Sequence, residues 1–215
     1  MPATTELTEL TELTETTETT GPTESALRVA VIIGSTRDGR FGPRVASWFT
    51  EQAAAARPEL GLDLVDLAEA DLPLTMTGHG ASRPAAVEAL APRLASADAF
   101  VIVTPEYNHS FPAALKNAVD WYNAVWRHKP VAFISYGGLS GGLRAVQQLR
   151  HVFIELRAVP IRDSVSFHEF WSQFAEDGTW PRPDENRDRA VQTLLDQLTW
   201  MGMTLRAARG ELPAS

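Results

Sequence analysis

Three short, almost wholly apolar runs constrain this chain more than any other feature. They are Arg28-Val-Ala-Val-Ile-Ile33, Ala99-Phe-Val-Ile-Val103 and Val131-Ala-Phe-Ile-Ser135. None alternates polar with apolar residues. A strand that is apolar throughout is buried on both faces, as in a parallel sheet covered by helices on either side. Leu62-Asp-Leu-Val-Asp-Leu67 does alternate, and reads as an edge strand with one wetter face. A weaker run from Ala158 to Val165 is a fifth strand candidate. Helical segments fill the intervals: Pro43 to Arg57, Pro84 to Ser96, Ala113 to Val125, Gly142 to Glu155 and Asp184 to Arg209. The first carries Pro in its opening turn. The last has acids at its start and Arg near its end, which suits the helix dipole. Strand–helix alternation over about 180 residues predicts a doubly wound α/β domain. His168 to Pro183 reads as irregular, with a turn at Asp177-Gly178.

The first 25 residues differ in kind. Thr4 to Thr20 is almost all Thr and Glu, with Leu every third residue at 7, 10 and 13. That period suits neither helix nor strand, so residues 1–25 are expected to form a disordered tail. The tail has no basic start and no apolar run, and so does not read as a signal peptide. Its six glutamates account for six of the eight net negative charges. The remainder is nearly neutral and shows no basic stripe, so no nucleic-acid partner is expected. The chain has no Cys, which excludes disulfides and thiolate chemistry. No apolar run approaches the roughly 18 residues needed to span a membrane. No membrane association is expected, and the cytoplasm is the default compartment.

In a doubly wound sheet, ligands bind at the carboxyl ends of the strands. The loops after strands one, three and four meet there. The first is Gly34-Ser-Thr-Arg-Asp-Gly-Arg-Phe-Gly42. Ser35 and Thr36 offer hydroxyls, Arg37 and Arg40 offer guanidinium groups, and the next helix points its free N–H groups at the same place. Together these suit a phosphate. The loop is neither a Walker loop nor a Gly-x-Gly-x-x-Gly fingerprint. The second loop, Thr104-Pro-Glu-Tyr-Asn-His-Ser-Phe-Pro112, offers an aromatic surface and an amide that both donates and accepts. It suits a flat heterocycle, or equally a well-capped turn with Tyr107 in the core. The third, Ser135-Tyr-Gly-Gly-Leu-Ser-Gly-Gly142, permits close backbone approach.

The three loops together resemble the NADPH-dependent FMN reductase family. The matching residues are Gly34-Ser35-Thr36-Arg37 with Gly39-Arg40, Pro105-Glu106-Tyr107-Asn108-His109-Ser110 with Leu115-Lys116-Asn117 and Asp120-Trp121, and Tyr136-Gly137-Gly138. Phe174-Ala-Glu-Asp177-Gly178 is also similar to a late loop of that family. The resemblance implies a flavodoxin-like three-layer sandwich over residues 26–215, with a five-stranded parallel sheet of order 2-1-3-4-5. It implies bound FMN, with NADPH or NADH as electron donor and a flavin, quinone or other small molecule as acceptor. Ser35, Arg37 and Arg40 would hold the FMN phosphate, with Phe41 and Gly42 in the same site. Pro105, Glu106, Tyr107 and Asn108 would meet the ribityl chain and ring, partly through backbone. Ser135, Gly137 and Gly138 would flank the ring's other edge. Many family members carry a Ser and an Asn further along the first loop, where this chain has Arg40 and Gly42.

The flavin would carry the chemistry, so no catalytic side chain is required. Arg37, Arg40 or His79 are candidates to hold the nicotinamide cofactor. The resemblance also implies a homodimer or a dimer of dimers, with the Ala113–Val125 helix at the contact; Trp121, Tyr122 and Trp126, on or just beyond that helix, suit either such a contact or packing inside the monomer. The alternatives are a non-catalytic FMN electron carrier and, remotely, a serine hydrolase. Gly138-Leu-Ser140-Gly-Gly142 has the Gly-x-Ser-x-Gly pattern. Its acid and histidine partners are badly placed downstream. The five His show no close metal-ligand spacing.

Overall fold

A computed structural model describes residues 26–78 and 80–211. The Thr/Glu-rich tail through residue 25 and His79 lie outside the described residues. The strands are β1 (Arg28–Ile33), β2 (Gly61–Asp66), β3 (Ala99–Pro105), β4 (Pro130–Gly137) and β5 (Val159–His168). They form one parallel sheet in the order β2-β1-β3-β4-β5, as expected from the sequence. The edge strand β2 is the wetter one, with Leu64 exposed and only Val65 fully buried. The helices are α1 (Gly42–Ala56), α2 (Leu67–Ala70), α3 (Ala85–Ser96), α4 (Ala113–Trp121), α5 (Leu143–Glu155) and α6 (Glu185–Glu211).

The central strands carry no polar alternation because both their faces are covered. Val29, Val31, Ile33, Val101, Val103 and Ile134 point to one layer. There they meet Val45, Phe49 and Ala53 of α1 and Val191, Leu194, Leu195 and Leu198 of α6. Ala30, Ile32, Phe100, Ile102 and Phe133 point the other way. They meet Val87, Leu90 and Leu94 of α3, Leu115 and Val119 of α4, and Val146, Leu149 and Phe153 of α5. The helical residues recur at three- and four-residue spacing, the stripe that turns one helix face to a sheet.

The aromatics that suit either a dimer contact or the monomer interior lie inside the monomer. The helix stops at Trp121, and a 3-10 turn over Asn123–Trp126 folds the chain back beneath the sheet. Trp121, Tyr122 and Trp126 are buried there. Trp121 Nε1 donates to the Pro73 carbonyl (2.9 Å), the Tyr122 hydroxyl to that of Val87 (2.9 Å), and Trp126 Nε1 to that of Val119 (3.2 Å). Trp126 also packs on Phe100 and Phe153.

Candidate active site

Because all five strands run parallel, the loops after β1, β3 and β4 share one edge of the sheet. The first loop is tied down at its start, where Gly34 N donates to the Val103 carbonyl (2.9 Å). Ser35 is fully buried, and its hydroxyl shares a 2.7 Å hydrogen bond with that of Tyr107. The loop then turns, with Arg40 N bonded to the Arg37 carbonyl (3.1 Å). Arg37 is exposed at this turn. Arg40 instead leans on Asp66, whose other oxygen caps α2 through Ala68 N (3.0 Å). The Arg40 Nε is buried and bonded to no protein group. Phe41 packs away from the loop opening, its ring 4.7 Å from Phe170 and 4.8 Å from Trp180. Gly42 opens α1 against Ile33 and the Tyr136 hydroxyl.

In the second loop, Tyr107 and Ser110 exchange backbone hydrogen bonds of 2.8 and 2.9 Å. Asn108 and His109 form the two-residue turn between them, both left-handed at φ 50° and 67°. That pair of positive φ values is the pattern of a type I′ turn, and Asn and His are among the non-glycine residues that enter the left-handed region most readily. Gln148 on α5 holds the turn from outside. It donates to the His109 carbonyl (2.8 Å) and accepts from the Ser110 hydroxyl (2.6 Å). Asn108 is left exposed at the tip.

Glu106 does not turn its carboxylate outward. It accepts from the Ser140 hydroxyl (2.6 Å), the Arg144 amide (3.0 Å) and the Arg144 guanidinium (2.9 Å). Burial works to raise its pKa, but the bonds from Ser140 and Arg144 outweigh it and hold the carboxyl below its ordinary value. The third loop is equally engaged. The Ser135 and Ser166 hydroxyls both donate to the Gly141 carbonyl, at 2.9 and 2.8 Å. Gly141 and Gly142 are left-handed, at φ 61° and 92°. A Cβ on Gly142 would fall 2.6 Å from that of Ser135. These two glycines are therefore demanded by the packing of the loop itself. Gly137 and Gly138 precede them, with Trp171 closing over Gly138.

The structure thus gathers Ser35, Arg37, Arg40, Gly42, Pro105, Tyr107 and Asn108 with Gly137 and Gly138 on one edge. The side chains of Glu106 and Ser135 are spent on bonding the loops together, and Phe41 on an aromatic cluster. Asp66, Gln148 and Arg144 carry no such signal in the sequence. Their partners come from loops and helices distant in the chain. The edge also exposes Leu139 (84%) and Trp171 (58%), two large apolar side chains. A cleft of about 620 Å³ lies elsewhere, between the 76–83 segment, α3 and the end of α4, and includes none of these loop residues.

The hydrolase arrangement does not assemble. Ser140 is bonded to a carboxylate already paired with Arg144, and His168 Nδ1 faces the Leu139 carbonyl (2.9 Å). Among the described residues no group of three or more His, Asp or Glu gathers to hold a metal. Nor is any helix among them long and apolar enough to cross a membrane.

The sequence model of the family described as NADPH-dependent FMN reductase matches residues 27–172. A quinone reductase of Escherichia coli is 35% identical over 184 residues, covering 82% of this chain and 94% of that one. An NAD(P)H-dependent FMN reductase of Schizosaccharomyces pombe is 36% identical over 143 residues, covering 62% and 70%. Among solved structures, FerB of Paracoccus denitrificans, a flavoenzyme NAD(P)H:(acceptor) oxidoreductase, superposes with a TM-score of 0.66 at 25% identity. The match covers 83% of this chain and 98% of FerB.

Proposed function

The chain belongs to the NADPH-dependent FMN reductase family, an FMN- and NAD(P)H-dependent group of oxidoreductases, and on that premise we propose that it reduces quinones or free flavins through a bound FMN. One observation supports this reading most. The hydroxyls of Ser35 and Tyr107 meet at 2.7 Å, which brings the phosphate-type loop and the aromatic loop into contact.

The residues present fit FMN. The first loop ends at the N-terminus of α1 and carries Arg37, exposed, and Arg40, with a buried Nε that no protein group bonds. Donors of this kind suit a phosphate. Pro105, Tyr107, Asn108, Gly137 and Gly138 offer backbone and a flat surface for the rest of the nucleotide. Bound FMN supplies the two-electron chemistry, taking hydride from NAD(P)H and handing electrons to the acceptor. The chain's own part is to fix the nucleotide, and Gln148 and Glu106 keep the Tyr107–Asn108 turn rigid for that task. Exposed Leu139 and Trp171 give an apolar margin that favours a flat aromatic acceptor over a charged one. This agrees with the name of the Escherichia coli relative. A homodimer is part of this reading, with a contact that does not use Trp121, Tyr122 or Trp126.

The test is anaerobic mixing of FMN-loaded protein with NADPH or NADH, followed by a benzoquinone. Rapid bleaching of the flavin and its return on adding quinone are expected. A flavin that never bleaches would mark an electron carrier instead. Arg37→Ala should weaken FMN binding by roughly tenfold or more, the worth of a charge-assisted hydrogen bond. Its apoprotein should melt like the wild type, since the side chain is exposed in a turn.

A further inference from the structure

We infer that the Tyr136 hydroxyl is a direct ligand of the phosphate held by the loop between β1 and α1; this rests on the FMN reading above. Tyr136 stands near the carboxyl end of β4 and is 3% exposed. Its ring packs at 5.3 Å from Phe170 and 6.3 Å from Phe41. Its hydroxyl oxygen, equally buried, forms no hydrogen bond of proper geometry with any described residue. Buried hydroxyls nearly always have a partner, and one without it is costly to keep. For the aromatic packing alone a phenylalanine would serve.

The hydroxyl lies where an anion is favoured. A Cβ on Gly42 would stand 3.2 Å from its oxygen, which places that oxygen at the first turn of α1. The Gly42 amide is directed at it as a backbone donor, and its charged or titratable neighbours are Tyr107 and Arg40. The amide and the guanidinium are donors, and the Tyr107 hydroxyl is already bonded to Ser35. No described residue accepts the tyrosine proton in a hydrogen bond. An anionic oxygen at the helix N-terminus would accept from Tyr136 and be favoured by the helix dipole. Arg40, paired with Asp66, keeps beside it a buried Nε donor that no described residue bonds. Burial, and then the neighbouring Tyr107, push the phenol pKa up, so Tyr136 keeps its proton for donation at neutral pH.

The experiment titrates wild-type and Tyr136→Phe apoprotein with FMN and with riboflavin, followed by flavin fluorescence, and records the melting temperature of both apoproteins. Riboflavin lacks the phosphate and so isolates it. The variant should bind FMN about tenfold or more weakly. Its riboflavin affinity should stay within about twofold of the wild type. Its apoprotein should melt at the same temperature or higher, because a buried hydroxyl without a partner has been removed. Equal losses for both ligands, or none for FMN, would overturn the assignment. So would a lower apoprotein melting temperature, which would make the hydroxyl structural. Wild-type protein that binds no FMN would overturn the flavin reading itself, an outcome visible without the variant.

Discussion

Glu106 joins two of the three site loops. It follows β3, and its carboxylate bonds Ser140 in the glycine loop and caps α5 at Arg144. Its backbone N–H reaches across to the Tyr136 carbonyl (3.1 Å). The carboxyl is held below its ordinary value, so it binds a proton more readily in the unfolded chain. Its contribution to stability is present above about pH 4.5, the unfolded value, and is lost as the pH falls through the folded one. Glu106→Gln should lower stability at neutral pH by roughly 1.5–3 kcal/mol, the worth of hydrogen bonds to a charged group. The gap to wild type should close as the pH drops below about 4.5. Urea titrations at pH 7 and pH 4 measure it, and a gap that stays constant would count against the network. The family resemblance marks this residue as a ligand contact. Its partners are 34 and 38 residues away, and no local spacing reveals them.

At the scale of elements, Lys129 shows how a strand start is bonded to a helix end. It precedes β4, is 7% exposed, and donates from Nζ to the Leu94 and Ala95 carbonyls at the end of α3. Burial, then the nearby Arg209, lower its pKa to about 8 from 10.5, against the pull of Asp98. Between those two values the unfolded chain holds the proton more tightly, so stability rises with pH across the window. The rise should reach about 3 kcal/mol at most. Lys129→Met should remove it, so denaturation curves of the two proteins at pH 7.5 and pH 10 should differ in slope against pH. Parallel behaviour would mean that the ammonium is not buried as a charge. The strands and long helices of this domain were legible because double-sided burial writes continuous apolar runs and single-sided burial writes helical stripes. The limits appeared where one pattern admits two neighbours. An aromatic face on α4 is the same in sequence whether it meets a sheet or a second subunit. The folding-back of the chain at Asn123–Trp126 decides the matter. Helix α2, at four residues, is too short to leave a periodic trace.

For the whole molecule, the position of Leu27 sets where the folded unit must begin. It is 5% exposed and packs on α6, where a Cβ on Gly202 would meet its Cδ2 at 2.7 Å. Its carbonyl accepts from Gly61 N (3.0 Å), which starts the pairing of β1 with β2. The core lies within 27–198, and the site within 35–138. Residues 1–25 supply six of the eight net negative charges, and every core residue among the described ones lies beyond them. A chain beginning at Ala26 after an initiator methionine should therefore match the full chain in urea denaturation and in FMN affinity. It should elute earlier from an anion exchanger, because its net charge falls from −8 to −2. Leu27→Ala in this shorter chain should cost about 2–3 kcal/mol, the worth of one buried leucine. Because Leu27 sits at the opposite edge of the sheet from the site, the variant should still bind FMN as tightly while it remains folded. If the cut before Ala26 already lowered stability by more than about 1 kcal/mol, twice the usual effect of a change outside the core, the tail would have to be counted as part of the fold.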